Sequence, residues 1–350
     1  MRKTSPVALA YVILFGFTVL LAVHVLVQRQ HLSQLHAVVQ QEEDTRIQKK
    51  GDYSQVGGAK AGPSSAPRSE GGSGESEGNA SLQEKIELLL NISVPITLGR
   101  ESLTPKRAAV GFSCGGTHVV KLKGYAELPK RNLSRVLPDL DHFQGLTAKE
   151  PQFTSCAIVG NSGTLLENEL GEEIDSKDMV IRFNSAPTEG YEQFVGTKTS
   201  FRILNRPDAV LEASSSEEVT ISTVRDEHQM RVWTRLLLGK VRKGNNHNPE
   251  LIKTSLVFDP EFLCYCWNWV GKKGHKPSSG LVGIIMAMKT CTPGKIFLYG
   301  FESSNYFQET ARPHYFDWER PAKGREKVHP FEHELKLQKQ LASFGLIAIR

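Results

Sequence analysis

The chain has 350 residues, 39% of them hydrophobic, and a formal net charge of +5 at pH 7. That length holds one large domain or two modest ones, with a sizeable core. The charge is small for the length, and the basic residues are scattered apart from Lys240-Val241-Arg242-Lys243 and Lys272-Lys273, so no nucleic-acid partner is expected.

The first element is an apolar run from Val7 to Val27 behind the basic Arg2 and Lys3. At about 1.5 Å per residue it reaches about 30 Å, the thickness of a bilayer core. A cleaved signal peptide has a shorter apolar region and a small-residue cleavage site. Here bulky residues continue to Gln28, Arg29 and Gln30. The expectation is a retained signal anchor over 7–27, with residues 1–6 in the cytosol and the rest in a lumen. The charge bias across the anchor is slight.

Residues 28–95 read as a flexible stem. Leu32, Leu35 and Val39 have helical spacing, but Gly51 to Asn79 is rich in Gly, Ser, Pro and Glu and cannot bury enough surface to offset its ordering entropy. Ser81 and Glu84 have capping-box spacing before the apolar Ile86–Leu90. Acceptor sequons stand at Asn79, Asn91 and Asn132. In an oxidising lumen the five cysteines allow two disulfides with one thiol left over, and Cys264 and Cys266 are too close to pair comfortably with each other.

A domain over 96–350 follows, in which short apolar runs alternate with helical patterns. CAIVG (156–160), MVIRFN (179–184), SFRILN (200–205), SLVFD (255–259) and KIFLYGF (295–301) read as strands. Thr164–Leu170 and GLVGIIMAMK (280–289) read as helices. The alternation predicts an α/β fold with a mostly parallel central sheet flanked by helices. Ligands in such sheets sit beyond the carboxyl ends of the strands.

Two turns have the chemistry of a nucleotide site. Gly160-Asn161-Ser162-Gly163 ends the first strand, and its glycines permit close backbone approach. It lacks the G-x-G-x-x-G pattern, so a dinucleotide fold is not indicated, and an ordinary strand-to-helix turn is the plain alternative. Ser278-Ser279-Gly280 opens a helix, where a serine cap leaves N–H groups facing an anion; it too can be only a cap. His314-Tyr315-Phe316-Asp317 lies in a loop after the last long strand. Asp139 and Asp141 have the D-x-D spacing of metal-dependent nucleotide-sugar transferases. His329 and His333 stand four apart, but Pro330 occupies the place of the glutamate in H-E-x-x-H, so zinc is not expected.

In order and spacing these stretches resemble the eukaryotic sialyltransferase family. Residues 156–205 resemble its long motif, KPSSGLVGIIMAMKTC (276–291) its short motif, HYFD (314–317) its third, and His329 with Glu334 the final H-x-x-x-x-E. The resemblance covers roughly 156–340 and leaves 206–275 unaligned. It implies a GT-A-like variant fold in a single-pass type II Golgi membrane protein. The implied reaction is inverting, metal-independent transfer of sialic acid from CMP-sialic acid to a galactose-type hydroxyl of a glycan, with no cofactor. Asn161, Ser162 and Gly163 would line the CMP site and Asn184 would close over it. Ser278, Ser279 and Gly280 would contact the cytidine-phosphate, and His314 its phosphate, with Tyr315 as support. His329 would be the general base. Cys156 and Cys291 match the family's disulfide.

Elementary chemistry is consistent with these roles. Helix N–H groups and a histidine act where charge grows on the leaving phosphate, and histidine suits the base. Pro330 at a first helical position puts His329 at the N-cap, where the dipole keeps it neutral. Glu334 lies about 140° round from it and reads as scaffold. Lys276 stands where many members have an aromatic residue. RFNSAPTEGYEQFVGTKT is most similar to the β-galactoside 2,6-transferring members, then the 2,3-transferring ones. Two other readings remain: a protein that binds nucleotide or glycan without transfer, and a metal-dependent transferase using Asp139 and Asp141.

Overall fold

Apolar runs four or five residues long, each stopped by a polar turn, build a sheet buried on both faces. The computed structural model describes residues 74–103, 133–145, 151–211, 218–239, 249–301, 311–320 and 327–350, all inside the unit Gly72–Arg350. The expected tail, anchor and first part of the stem lie outside these residues, as does Asn132. Among the described residues no helix is long and apolar enough to cross a membrane.

In chain order the elements are α1 (Gly74–Asn91), β1 (Cys156–Val159), α2 (Gly171–Asp175), β2 (Met179–Phe183), α3 (Glu192–Val195), β3 (Phe201–Leu204), β4 (Val219–Ser222), α4 (Glu227–Leu237), α5 (Pro249–Lys253), β5 (Ser255–Val257), α6 (Pro260–Asn268), α7 (Ser279–Thr290), β6 (Ile296–Tyr299), α8 (Phe331–Ser343) and β7 (Ala348–Ile349). The strands lie in the order β5-β4-β3-β2-β1-β6-β7, and every pair is parallel. The α/β class and the largely parallel sheet are as the alternation predicts.

Side chains alternate across the sheet with the two-residue period of a strand. Cys156 and Ile158 join Met179, Ile181 and Phe183 in one core with α6 and α7. Ala157 and Val159 join Val180 and Tyr299 in another. Every residue of α7 from Leu281 to Thr290 is buried, as expected of a helix that is apolar all round. Truncating Ile284 there to alanine would cost about 2–5 kcal/mol.

The chain starts in the middle of the sheet at β1, moves outward to β5, and returns to β6 on β1's other side. The strand order therefore switches between β1 and β6, which is where a crevice forms in open sheets of this kind. A disulfide joins Cys156 at the start of β1 to Cys291 at the end of α7. Cys264 is also disulfide-bonded, and Cys266 is a buried free thiol.

Some expectations change. Thr164–Leu170 is not an α-helix: a 3-10 turn covers Gly163–Glu167, and α2 starts at Gly171. Helix α1 begins at Gly74, so Ser81 lies inside it rather than capping it. The stem was expected to reach residue 95, yet Ile86 and Leu89 are buried in the sheet's core. The Tyr265 hydroxyl donates to Leu89 O at 2.7 Å, and Lys289 Nζ donates to Leu90 O and Ile92 O at 2.6 Å each. Packed structure thus begins ahead of residue 96.

Candidate functional site

Gly160 and Gly300 end the two strands at the switch point, and their backbones touch. A Cβ on Gly160 would strike Gly300 O, and one on Gly300, at φ 65°, would strike Leu165. The chain can therefore turn outward here only with glycines. Asn161 and Ser162 follow. Ser162 Oγ accepts from Thr164 N at 3.3 Å, while Tyr315 N donates to Asn161 O at 3.0 Å. That second bond fastens the 311–317 loop to the first turn.

Asn184 follows β2 in the left-handed conformation, φ 53°, which asparagine tolerates better than most residues. Its Oδ1 accepts from Asn205 N at 3.0 Å and its backbone O from Arg202 Nη1 at 2.8 Å. Buried Arg202 is in turn paired with buried Glu218.

Helix α7 starts opposite these strand ends. Ser278 is its N-cap, with Oγ accepting from Leu281 N at 3.0 Å. Ser279 and Gly280 occupy the first two helical positions, where N–H groups have no intrahelical acceptor. Glu334 of α8 holds the cap from behind: it accepts from Ser278 N at 2.9 Å and from Ser278 Oγ at 2.5 Å. The Glu334 side chain is buried, which pushes its pKa up to about 7, against the pull of its two bonds from Ser278. It supports the cap, as its angular offset from His329 suggests, and it also lines the cavity described below.

His329 does not cap α8. Pro330 is the N-cap and the helix starts at Phe331, so His329 stands one residue outside. Proline's ring fixes φ but not the helical ψ, and Pro330 sits at φ −81°, ψ 55°. His329 Nδ1 lies 3.3 Å from Lys276 O. A carbonyl only accepts, so Nδ1 carries the proton and Nε2 the lone pair. The His329 pKa is lowered to about 4, chiefly by burial and next by the charge of Lys276, with Arg225 adding less. The imidazole is neutral, as its sequence position suggested, but by a different cause from the helix dipole.

His314 Nδ1 meets Asp317 Oδ1 at 2.8 Å, and its ring stacks on Phe316 with centroids 5.2 Å apart. This pair directs Nε2 away from Asp317.

A cavity of about 260 Å³ opens between these elements. It is lined by Asn161, Ser162, Asn184, Ser278, Ser279, Gly280, His314, His329 and Glu334, so stretches as far apart in sequence as Asn161 and Glu334 meet around one space. Two expected residues do not line it. Gly163 packs against the Arg312 backbone, where a side chain would collide. Tyr315 is buried beneath the loop, its hydroxyl donating to Pro187 O; burial pushes its pKa up to about 12. Among the lining residues that the sequence did not mark as part of a site are Phe183, Asn205, Phe301, Phe331 and Gln338. Asn205 ends the strand beside Asn184, and Gln338 lies one helical turn beyond Glu334, so strand ends and helical periodicity carried the signal.

Asp139 and Asp141 are engaged elsewhere. Asp139 pairs with Arg100. Asp141 accepts from Ile96 N and Thr97 N, both at 2.9 Å, from Thr97 Oγ1 at 2.6 Å, and from Phe143 N at 3.1 Å. Among the described residues no three His, Cys, Asp or Glu side chains gather as metal ligands.

The description Glycosyltransferase family 29 (sialyltransferase) matches residues 117–346. The CMP-N-acetylneuraminate-beta-galactosamide-alpha-2,3-sialyltransferase 1 of Gallus gallus is 31% identical over 201 residues, covering 55% of this chain and 56% of that protein. The Beta-galactoside alpha-2,6-sialyltransferase 2 of Homo sapiens is 31% identical over 166 residues, covering 41% and 31%. The match thus spans about half the length of the first of these relatives, and less of the second. A mammalian sialyltransferase crystallised with Gal-beta-1-3GalNAc-ortho-nitrophenol has a similar fold, with a TM-score of 0.53 at 23% identity over 74% of this chain and 90% of that one.

Proposed function

We propose that this chain, which belongs to glycosyltransferase family 29, the sialyltransferases, transfers sialic acid from CMP-sialic acid to a galactose-type hydroxyl of a glycan, with inversion and without a metal. The observation that carries the reading is the convergence on one cavity of the α7 start, His314, and a neutral His329 whose Nδ1 faces Lys276 O.

In this mechanism the donor phosphate sits at the N–H groups of Ser279 and Gly280, and His314 acts as imidazolium, donating from Nδ1 to Asp317 and from Nε2 to the phosphate. Asn161, Ser162 and Asn184 form the opposite wall, and Gly163 shapes the turn behind them. As the bond from the anomeric carbon to phosphate oxygen breaks, its electron pair leaves with CMP, and fixed donors meet the charge where it grows. The acceptor hydroxyl attacks from the other face, and its proton passes to His329 Nε2. A base with a pKa of about 4 is weak by itself, but the donor's anionic groups favour imidazolium and raise it. Lys276 then faces an anion instead of a lone imidazole.

The proposal extends to location: residues 1–6 cytosolic, 7–27 in the Golgi membrane and the rest in the lumen, as a stem from residue 28 that gives way to the catalytic domain ahead of the packed Ile86. Asn79, Asn91 and Asn132 would be glycan acceptors; Asn91 is exposed at the end of α1.

The test uses the full chain in detergent, with CMP-sialic acid and a galactose-terminated disaccharide in EDTA, and linkage analysis of the product. Turnover with inverted configuration is expected. Turnover only after a divalent ion is restored would remove metal independence, and CMP binding with no turnover would leave only a binding protein.

A further inference from the structure

Seven buried side-chain polar atoms have no hydrogen-bond partner among the described residues, and two of them line the cavity: Asn161 Oδ1 and Gln338 Oε1. Gln338 is 5% exposed, on α8. An unpaired buried amide oxygen is costly unless a ligand completes it. Its acceptor requires an N–H or O–H group, which a phosphate dianion does not have.

Position along α8 limits which part of the ligand it meets. Phe331, Glu334 and Gln338 stand at i, i+3 and i+7, so they share one stripe of the helix. Glu334 is level with the Ser278 cap through its two hydrogen bonds. Gln338 lies four residues, about 6 Å, further along the axis and away from His329. In a nucleotide-sugar donor the groups run sugar, phosphate, ribose, base. With the sugar near His329 and the phosphate at the α7 start, going further from His329 leads toward the base. A pyrimidine is also the flat, apolar part of the ligand, and it carries its hydrogen-bonding groups on one edge. The same cavity contains Phe183, Phe301 and Phe331, walls suited to a ring. A second sugar would need many hydroxyl partners there.

On the sialyltransferase reading, we infer that Gln338 reads the base of the donor nucleotide. Its Oε1 accepts from the exocyclic amine of cytosine and its amide N–H donates to the adjacent ring nitrogen. Gln338 thereby fixes the base end of the donor while α7 and His314 fix the phosphate.

The test measures competitive inhibition of the full chain by CMP, UMP and ribose 5-phosphate, in the wild type and in Gln338→Leu and Gln338→Glu. Gln338→Leu should weaken CMP about tenfold and leave ribose 5-phosphate unchanged. Its melting temperature without nucleotide should hold or rise, because an unpaired amide has been removed. Gln338→Glu keeps only acceptors, so it retains the bond from the cytosine amine and loses the one to the ring nitrogen; CMP should weaken by less than in Gln338→Leu, and UMP, which likewise keeps only its ring N–H bond, by a similar factor. Equal losses for CMP and ribose 5-phosphate would move the contact to the ribose and overturn the inference. An unchanged CMP constant in Gln338→Leu would overturn it as well. Wild-type turnover separates these results from failure of the underlying reading: turnover with an indifferent Gln338 removes only the inference, whereas no turnover and no CMP inhibition removes both.

Discussion

Along the strand-end wall of the cavity the polar side chains are neutral. Asn161, Ser162, Asn184 and Asn205 are placed by backbone hydrogen bonds and by one left-handed residue. The helix wall is built the other way. His329 and Glu334 are titratable, partly or fully buried and shifted in opposite directions, and both are placed by the short segment 276–278. The first wall fixes shape and is indifferent to pH. The second holds the proton-carrying groups, and its geometry depends on their charge states.

The largest effect should come from the proton carrier. His329→Ala is expected to lower kcat by at least about a hundredfold while CMP affinity changes less than about threefold. Near-normal kcat would end its assignment as base. Lys276→Met should raise the His329 pKa, because it removes a nearby positive charge. The acid limb of kcat/KM would then shift to higher pH, a readout that a loss of packing would not produce.

Next in size is the link between the walls. Cys156 begins β1 under the strand-end wall, and Cys291 ends α7 of the helix wall. Replacing both with serine should cost about 2–5 kcal/mol of stability, read by urea unfolding. If the walls are independent units, CMP affinity of the folded variant will stay at the wild-type value; if the disulfide holds their spacing, it will fall.

The two shifted groups should oppose each other in stability. His329 has a folded pKa of about 4 against an ordinary 6.5, so between those values the unfolded chain binds more protons and stability rises with pH. Glu334 is raised from 4.5 to about 7, so in that window the folded chain binds more protons and stability falls with rising pH. When protonated, Glu334 can donate through Oε2 to Ser278 Oγ without losing the contact. Glu334→Gln should therefore reveal the rising slope and His329→Gln the falling one, measured by urea unfolding from pH 4.5 to 6.5. Identical slopes in the two variants would show that the helix wall is as indifferent to pH as its partner.

How much of this was legible follows the same division. The strand-end wall could be read almost residue by residue, since apolar runs and their Gly and Asn stops are local. Ser278 at a helix start is local too. His329's neutrality was foreseeable, but its cause was not, because the burial that chiefly lowers its pKa, and the Lys276 charge beside it, arise only in the fold. The link from Glu334 to Ser278 spans 56 positions and left no local trace. Asp139 and Asp141 showed the reverse: a metal-like spacing whose oxygens are consumed by residues 96–100, some 40 positions earlier. Strand β4 and helix α4 fell in the stretch that could not be aligned, and in the helix-like 164–170 a 3-10 turn starts at Gly163, where the chain passes close to Arg312.

The smallest effect tests the claim that shape is backbone-made on the strand-end wall. Asn184 sits at φ 53°, where a Cβ without a compensating polar group is strained by about 1 kcal/mol. Asn184→Ala keeps that strain and loses the bond from Asn205 N. Asn184→Gly loses the same bond but relieves the strain. The glycine variant should therefore be the more stable of the two by about 1 kcal/mol, the reverse of the usual order, with CMP affinity nearer to wild type. Both should behave alike from pH 5 to 8, because nothing they remove titrates. If alanine proved the more stable, the left-handed turn would not be what holds this wall, and its shape would have to come from the Arg202–Glu218 pair beneath it.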